Sequence, residues 1–343
     1  MFSVVVPLWN KRHTIEATIA SALAQTWRDF ELIVIDDGST DGGMALLDRF
    51  DDSRIRRLTQ SNAGPGCARN AGLRAARNDW IAFLDADDIW LPDHLAELAR
   101  VRARYPDSGL IAASFARISE PRARLATASG QDRIEVIDYL DLAGRSESLF
   151  TTSSAAIPRD TYRLLGGFTD APVGQDIEYW VRIALHRPIA VSSRVTTYYV
   201  FGTGGISETL RSPCLGRTLR RAGDIAPCVE TVLESCRRIA SAERRHTIDC
   251  FIDRQFQYCV RHSARIGDFR TLRALPPLFP RPPSFEDRLI VAAARLPAPV
   301  ARAAYRAGFR LKHLARALRR ALRPPLRVRG PGSASADRRR AGG

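Results

Sequence analysis

The chain has 343 residues, 45% of them apolar, a globular composition long enough for a real core rather than a small disulfide scaffold. Its formal charge of +15 is uneven: from Arg281 onward sixteen Arg and Lys face three acids, a net of +13, so the first 280 residues are close to neutral. The six cysteines (Cys67, Cys214, Cys228, Cys236, Cys250, Cys259) form no C-x-x-C pair, which argues against a zinc site.

Neither a signal segment at Phe2–Pro7 nor an apolar run of about 18 residues is read, so the expectation is a protein on the cytoplasmic side without a membrane span. The first hundred residues alternate strand and helix. Phe2–Leu8 is a continuous apolar run, and Thr14–Thr26 has helical spacing through Ile15, Ile19, Ala22 and Leu23. Glu31–Ile35 is a second strand, ending in Asp36-Asp37-Gly38. Met44–Phe50 reads as helix, Ile55–Leu58 as a weaker strand, Ala68–Arg77 as helix and Trp80–Leu84 as a buried strand. Pro92–Arg104 follows as helix, with proline early, where its missing donor costs nothing. Short apolar strands alternating with helices predict a mostly parallel Rossmann-like sheet flanked by helices, with ligands at the carboxyl ends of the strands.

After residue 105 the pattern loosens. Leu110–Phe115 and Ser153–Ile157 read as strands and Arg117–Gln131 as a polar loop. Asp176–His186 reads as a helix, with Ile177, Trp180, Val181 and Ala184 on one stripe, and Ile189–Phe201 as β. The division expected is a catalytic domain over 1–205, a helical extension over 206–280, a basic amphipathic helical region over 281–330 and a disordered tail over 331–343.

The strand Trp80–Leu84 ends in Asp85-Ala86-Asp87-Asp88. In an extended segment Asp85 and Asp87 share a face and Asp88 points away. Two carboxylates there suit a hard divalent cation bearing phosphate oxygens, or else form a solvated acidic turn. Other signatures fail. Gly64-Pro65-Gly66-Cys67-Ala68-Arg69 has Arg69 where a dinucleotide fingerprint needs its third glycine, and no P-loop or G-x-S-x-G is present. Asp37-Gly38-Ser39-Thr40-Asp41-Gly42 follows a strand and has Asp48 in place of the closing Glu of an EF-hand.

Five segments keep a common order: Val4–Asn10, Ile33–Asp41, Asn62-Ala63-Gly64 with Ala68-Arg69-Asn70, Phe83–Asp88, and Gly167-Phe168 with Gln175-Asp176. Together they resemble the family 2 glycosyltransferases of GT-A fold, over roughly residues 2–205. The resemblance implies an inverting, metal-dependent glycosyltransferase acting on a nucleotide-sugar donor, most plausibly UDP-linked, in bacterial surface-polysaccharide or glycolipid assembly. It puts Pro7, Trp9, Asn10, Asp37, Asn62 and Arg69 around the nucleotide and Asp85 at the ribose. Asp87 falls on Mg²⁺ or Mn²⁺, and Asp176 becomes the catalytic base. Gly167, Phe168, Gln175 and Trp180 fall on the acceptor side, the acceptor being a glycan or a lipid-linked sugar.

Two positions depart from the family pattern. Gln175 stands where Glu is usual, and Tyr198-Tyr199-Val200-Phe201 replaces a run whose His reaches the metal or diphosphate. They motivate a rival reading as a nucleotide-sugar-binding or scaffold protein without turnover. The Arg-rich helix at 299–323 adds a choice between an anionic membrane surface, which its amphipathic rhythm favours, packing on the catalytic domain, and nucleic acid.

Overall fold

The computed structural model describes residues 1–119, 132–144, 149–171, 174–204, 228, 229, 231, 232, 242–266, 268–275, 285–296, 299, 300 and 303. Nearly all of the basic stretch 299–323, and the whole of 331–343, lie outside the described residues. So do Cys214, Cys236 and most of the loop expected at Arg117–Gln131.

Nine strands form one sheet. They are β1 (Phe2–Leu8), β2 (Phe30–Asp36), β3 (Ile55–Thr59), β4 (Trp80–Phe83), β5 (Ile89–Trp90), β6 (Leu110–Ile118), β7 (Ile134–Ile137), β8 (Ala155–Pro158) and β9 (Ile189–Val200). Their order is β3-β2-β1-β4-β8-β6-β9-β5, with β7 also paired to β9. The parallel order read from the sequence runs only through β3-β2-β1-β4. Beyond it β8 is antiparallel to both β4 and β6, β6 and β9 are parallel, and β5 and β7 pair antiparallel with β9. The reversal has a local cause. A 3₁₀ turn, Thr152–Ser154, enters the sheet at the carboxyl end of β4, so β8 must run away from that rim.

Both faces of the parallel half are covered. Val4, Val6, Leu32, Val34 and Ala82 pack on helices α1 (Ile15–Leu23) and α3 (His94–Arg104). Val5, Ile33, Ile35, Ile81 and Phe83 face α2 (Pro65–Ala75) and the helix Gln175–His186. This is why the strands read as unbroken apolar runs. Gly72 brings α2 down onto β1: a Cβ there would stand 2.3 Å from Val5 Cγ1. The helix Gln175–His186 is buried nearly all round because a third core lies behind it. Val181 belongs to one apolar cluster with Val229, Val232, Ile248, Phe251 and Phe256, partly from the long helix Ala242–Ile266.

At the opposite edge from the strand ends, Glu31 closes the sheet. Its carboxylate accepts from the Ser3 hydroxyl at 2.6 Å, from the Arg77 N–H at 2.6 Å and from Arg56. Burial alone would raise its pKa, but these hydrogen bonds and the Arg56 charge outweigh it and hold the carboxyl below the ordinary range. A depressed folded-state pKa contributes stability above the ordinary Glu value and loses it as the pH falls. Glu31→Gln should therefore cost about 1.5–3 kcal/mol at neutral pH. The deficit should shrink as the pH falls below the ordinary Glu value and through the lowered value of the folded state, read from denaturant melts of both proteins across the acid range.

Candidate active site

The carboxyl ends of β1, β2 and β4 meet at one rim, as their polar termini predict, and short hydrogen bonds bind them together. The Asp37 N–H donates to Leu8 O at 2.8 Å, and the Asn10 N–H to Ser39 Oγ at 3.1 Å. The Thr40 N–H returns to Asn10 Oδ1 at 2.9 Å. Asn10 is the one described non-glycine residue with positive φ (51°), a conformation Asn tolerates, and this turns its amide towards the β2 loop.

Asp37, only 3% exposed, takes Gln60 Nε2 at 2.7 Å and the N–H groups of Ala63 and Gly64 at 2.9 Å each. Three donors leave room for one more on a carboxylate. Asp37 thus fixes the 60–64 loop, whose Asn62 is exposed and whose backbone N lies 2.9 Å from a Cβ built on Gly38. Pro7 is half-buried and Trp9 is 46% exposed. An apolar ring, an exposed amide and a nearly saturated buried carboxylate line this side of the rim.

The acidic turn divides three ways. Asp85 pairs with Arg69 Nη2 at 2.5 Å. Asp87 pairs with Lys11 Nζ at 2.7 Å and accepts from the Thr203 hydroxyl at 2.8 Å. Asp88 points inward, 1% exposed, accepting from Ser153 Oγ and, at 3.0 Å, from the Val200 N–H. Burial, reinforced by the charges of Asp85 and Asp87, pushes Asp88 well above the usual carboxylate range. Asp88 is thus a tie between elements. The turn's floor is α1: Thr14 and Thr18 donate to Ala86 O at 2.8 and 3.0 Å, and Thr18 also to Asp88 O at 2.9 Å.

Arg69, 5% exposed on α2, sits over the Phe168 ring at 5.5 Å. Among the described residues its Nε and Nη1 have no partner. The charges of Asp85, Asp176 and Asp87 all act on it and raise its pKa against the pull of burial. Burial raises Asp85 in turn, with Arg69 opposing and Asp87 and Asp176 adding to the rise. Three carboxylates therefore act on one buried guanidinium, which touches Asp85 directly.

Asp176 lies in the first turn of the helix Gln175–His186, whose N-cap is Gly174 and not Asp176. It accepts from Thr152 Oγ1 at 3.0 Å. Its neighbour Glu178 is unavailable: it is 3% exposed, held by Arg182 Nε and Nη2, and takes the Thr231 hydroxyl at 2.9 Å.

The acceptor-side expectation needs correction for Phe168 and Trp180. They are 5% and 3% exposed and pack with Phe83, Phe150 and Tyr179 in an aromatic cluster. They support Arg69 from beneath and present no face to a ligand. Gln175 is also buried, its Oε1 without a partner among the described residues. Gly167 is required by close approach, since a Cβ would stand 2.1 Å from Asn70 Oδ1. Asn70 pairs with the backbone N–H and C=O of Phe168 at 2.8 Å each.

Sequence reasoning missed Lys11, Thr203, Thr152 and Ser153. Lys11 could have been suspected because it directly follows the β1 terminus. The other three are ordinary hydroxyl residues placed only by the fold.

Asp85 and Asp87 present hard oxygen donors, as does Thr203, and suit Mg²⁺ or Mn²⁺ in the mode where one or two carboxylates share the ion with phosphates and water. Among the described residues no three His, Cys, Asp or Glu side chains are placed so that they alone could hold a metal ion.

Residues 3–157 match the model of glycosyl transferase family 2. The UDP-Glc:alpha-D-GlcNAc-diphosphoundecaprenol beta-1,3-glucosyltransferase WfgD of Escherichia coli is 45% identical over 96 residues, 28% of this chain and 38% of WfgD. The succinoglycan biosynthesis protein ExoO of Rhizobium meliloti is 35% identical over 153 residues, 44% of this chain and 37% of ExoO. The chain therefore spans under two fifths of each of these relatives. The structure of S. aureus TarS 1-349 in complex with UDP-GlcNAc superposes with a TM-score of 0.65 at 18% identity, covering 90% of this chain and 92% of that one. The mannosyltransferase PcManGT from Pyrobaculum calidifontis, in complex with GDP-Man and Mn2+, gives 0.55 at 20% identity, covering 91% and 86%. These two likenesses show a shared GT-A fold.

Removing Arg69 should leave Asp85 beside Asp87 and Asp176 without its cation. Arg69→Met is expected to lower stability by about 1–3 kcal/mol. Calorimetry should show part of that returning in the Arg69→Met/Asp85→Asn double variant, through coupling of the pair.

Proposed function

Since residues 3–157 match the model of glycosyl transferase family 2, we propose that the protein moves a sugar from a nucleotide-sugar donor to an acceptor hydroxyl with inversion at the anomeric carbon. The carrying observation is the triad of Asp85, Asp87 and Asp176 around a buried Arg69 with two unpartnered nitrogens.

The base lies along Pro7, Trp9, Asn10 and Asn62, with the spare acceptor position of Asp37 facing a ring N–H. UDP is the favoured nucleotide, by the names of WfgD and of the TarS complex. Asp85 takes the ribose hydroxyls. Arg69 Nε and Nη1 donate to the diphosphate and hold it as its charge grows. A divalent ion carried by Asp87 would add fixed positive charge at the leaving diphosphate. Asp176, oriented by Thr152, accepts the proton of the acceptor hydroxyl as that oxygen bonds to the anomeric carbon. The bond from that carbon to the phosphate oxygen breaks with its electron pair leaving on the nucleoside diphosphate. Attack from the side opposite the leaving group inverts the centre.

The acceptor proposed is a lipid-linked sugar. Its support is the activity of WfgD, a transferase acting on a diphosphoundecaprenol-linked sugar, and the basic stretch 299–323, which suits an anionic membrane surface. No described helix is long and apolar enough to cross a membrane.

Sugar release from UDP-sugars with Mn²⁺ present tests the reading. Asp176→Asn should lose at least about a hundredfold in turnover while UDP affinity stays within about threefold. UDP binding with no turnover in the wild type, and no change in Asp176→Asn, would favour the binding-only alternative.

A further inference from the structure

Lys11 is the residue at the rim that the proposed chemistry leaves without a role. Its Nζ lies 2.7 Å from Asp87 Oδ2, 2.9 Å from Thr203 O and 3.4 Å from Thr203 Oγ1. Thr203 Oγ1 itself donates to the same Asp87 oxygen at 2.8 Å. The ammonium thus closes a ring linking the ends of β1, β4 and β9. The Lys11 and Asp87 side chains are only 14% and 17% exposed, so water screens the pair weakly.

Lys11 and a divalent ion cannot hold that oxygen together. A unit charge and a double charge within about 4 Å repel by several kcal/mol even at an effective dielectric near 20. The lysine can withdraw, because its four-carbon stem is flexible and its third N–H, aimed at Thr203 Oγ1 from 3.4 Å, makes only a poor hydrogen bond. Thr203 sits between Gly202 and Gly204, whose φ of 84° and 69° is a left-handed conformation that glycine adopts without steric cost.

We propose that Lys11 is the resident counter-cation of Asp87. It neutralises that carboxylate and holds the Thr203 loop until a divalent ion arrives with a diphosphate, and it then turns its charge to that anion. The inference rests on the metal-bearing role given to Asp87 above. It makes occupancy by the ion conditional on the donor, because an ion arriving alone must displace a cation and leave it with no anion to meet.

The test counts free Mn²⁺ by electron paramagnetic resonance during titration of the full-length chain. Lys11→Met should take Mn²⁺ alone about tenfold more tightly than the wild type. Lys11→Arg, which keeps the charge, should not, and adding Asp87→Asn to Lys11→Met should abolish the gain. Should Met loosen the fold, Lys11→Gln gives the same comparison with a donor retained. Equal Mn²⁺ affinity in wild type, Lys11→Met and Lys11→Arg overturns the inference, as does a gain that survives Asp87→Asn or no uptake by either wild type or Lys11→Met. UDP titrated into the same samples reads the donor separately. A wild type that takes Mn²⁺ but no UDP overturns the donor assignment, while the Mn²⁺ comparison still decides on Lys11.

Discussion

The Ser153 hydroxyl is a single oxygen on which the acidic turn depends. It accepts the Asp85 N–H at 3.0 Å and donates to the buried Asp88 carboxylate, while the Ser153 carbonyl takes the Trp90 indole N–H. A serine with no exposed surface therefore fixes the turn at both ends and anchors the aromatic residue that follows it. Asp88, in turn, receives the Val200 N–H, so the sheet on both sides of the turn is drawn to the same point. Without that anchorage Asp85 and Asp87 would be two exposed acids on a mobile loop. With it they stand at fixed places on a rim, where neighbouring cations can be matched to them one by one.

That matching sets the electrostatic character of the site. Arg69 answers Asp85 and Lys11 answers Asp87, yet neither cation is exhausted by its partner. The guanidinium keeps two buried nitrogens unpartnered, and the ammonium keeps one poorly used donor. Asp176 adds a third negative charge, which takes the Thr152 hydroxyl and also acts on Arg69. A site so arranged pairs two of its carboxylates directly with cations and leaves the third on hydrogen bonds. The aromatic floor of Phe83, Phe168 and Trp180 keeps Arg69 from relaxing into solvent.

Much of this was legible in the sequence wherever a residue's neighbours along the chain are also its neighbours in space. The apolar strands and their polar ends at Asn10, Asp37 and Asp85 are of that kind, because a parallel sheet buried on both faces writes itself as short hydrophobic runs. The parallel count was overstated past β4, since nothing in Ala155–Pro158 reveals which way the strand runs. β5 is two residues long and carries no period. The burial of Phe168 was not legible, because an aromatic residue beside a glycine pair looks the same in sequence whether it is exposed or packed, whereas Trp180 already lay on the apolar stripe of its helix. Lys11, Thr152 and Thr203 were invisible for another reason. Each works on a partner from 24 to 192 positions away, and their chemical types are common on any surface.

The insertion of β8 between β4 and β6 bears on how the protein is made. The parallel half is complete by about residue 90, yet β4 is then an unpaired edge. The carboxylate of Asp88 must wait for Ser153, 65 residues later, and for the Val200 amide, 112 residues later. On a ribosome this leaves an apolar strand and an acid bound for burial open to solvent for several seconds of synthesis. Pairings so distant along the chain are also the slow ones to form. The join between β4 and β8 thus closes late, and the nascent chain has the β3-β2-β1-β4 framework and the Asp37 loop before the acidic turn is tied down.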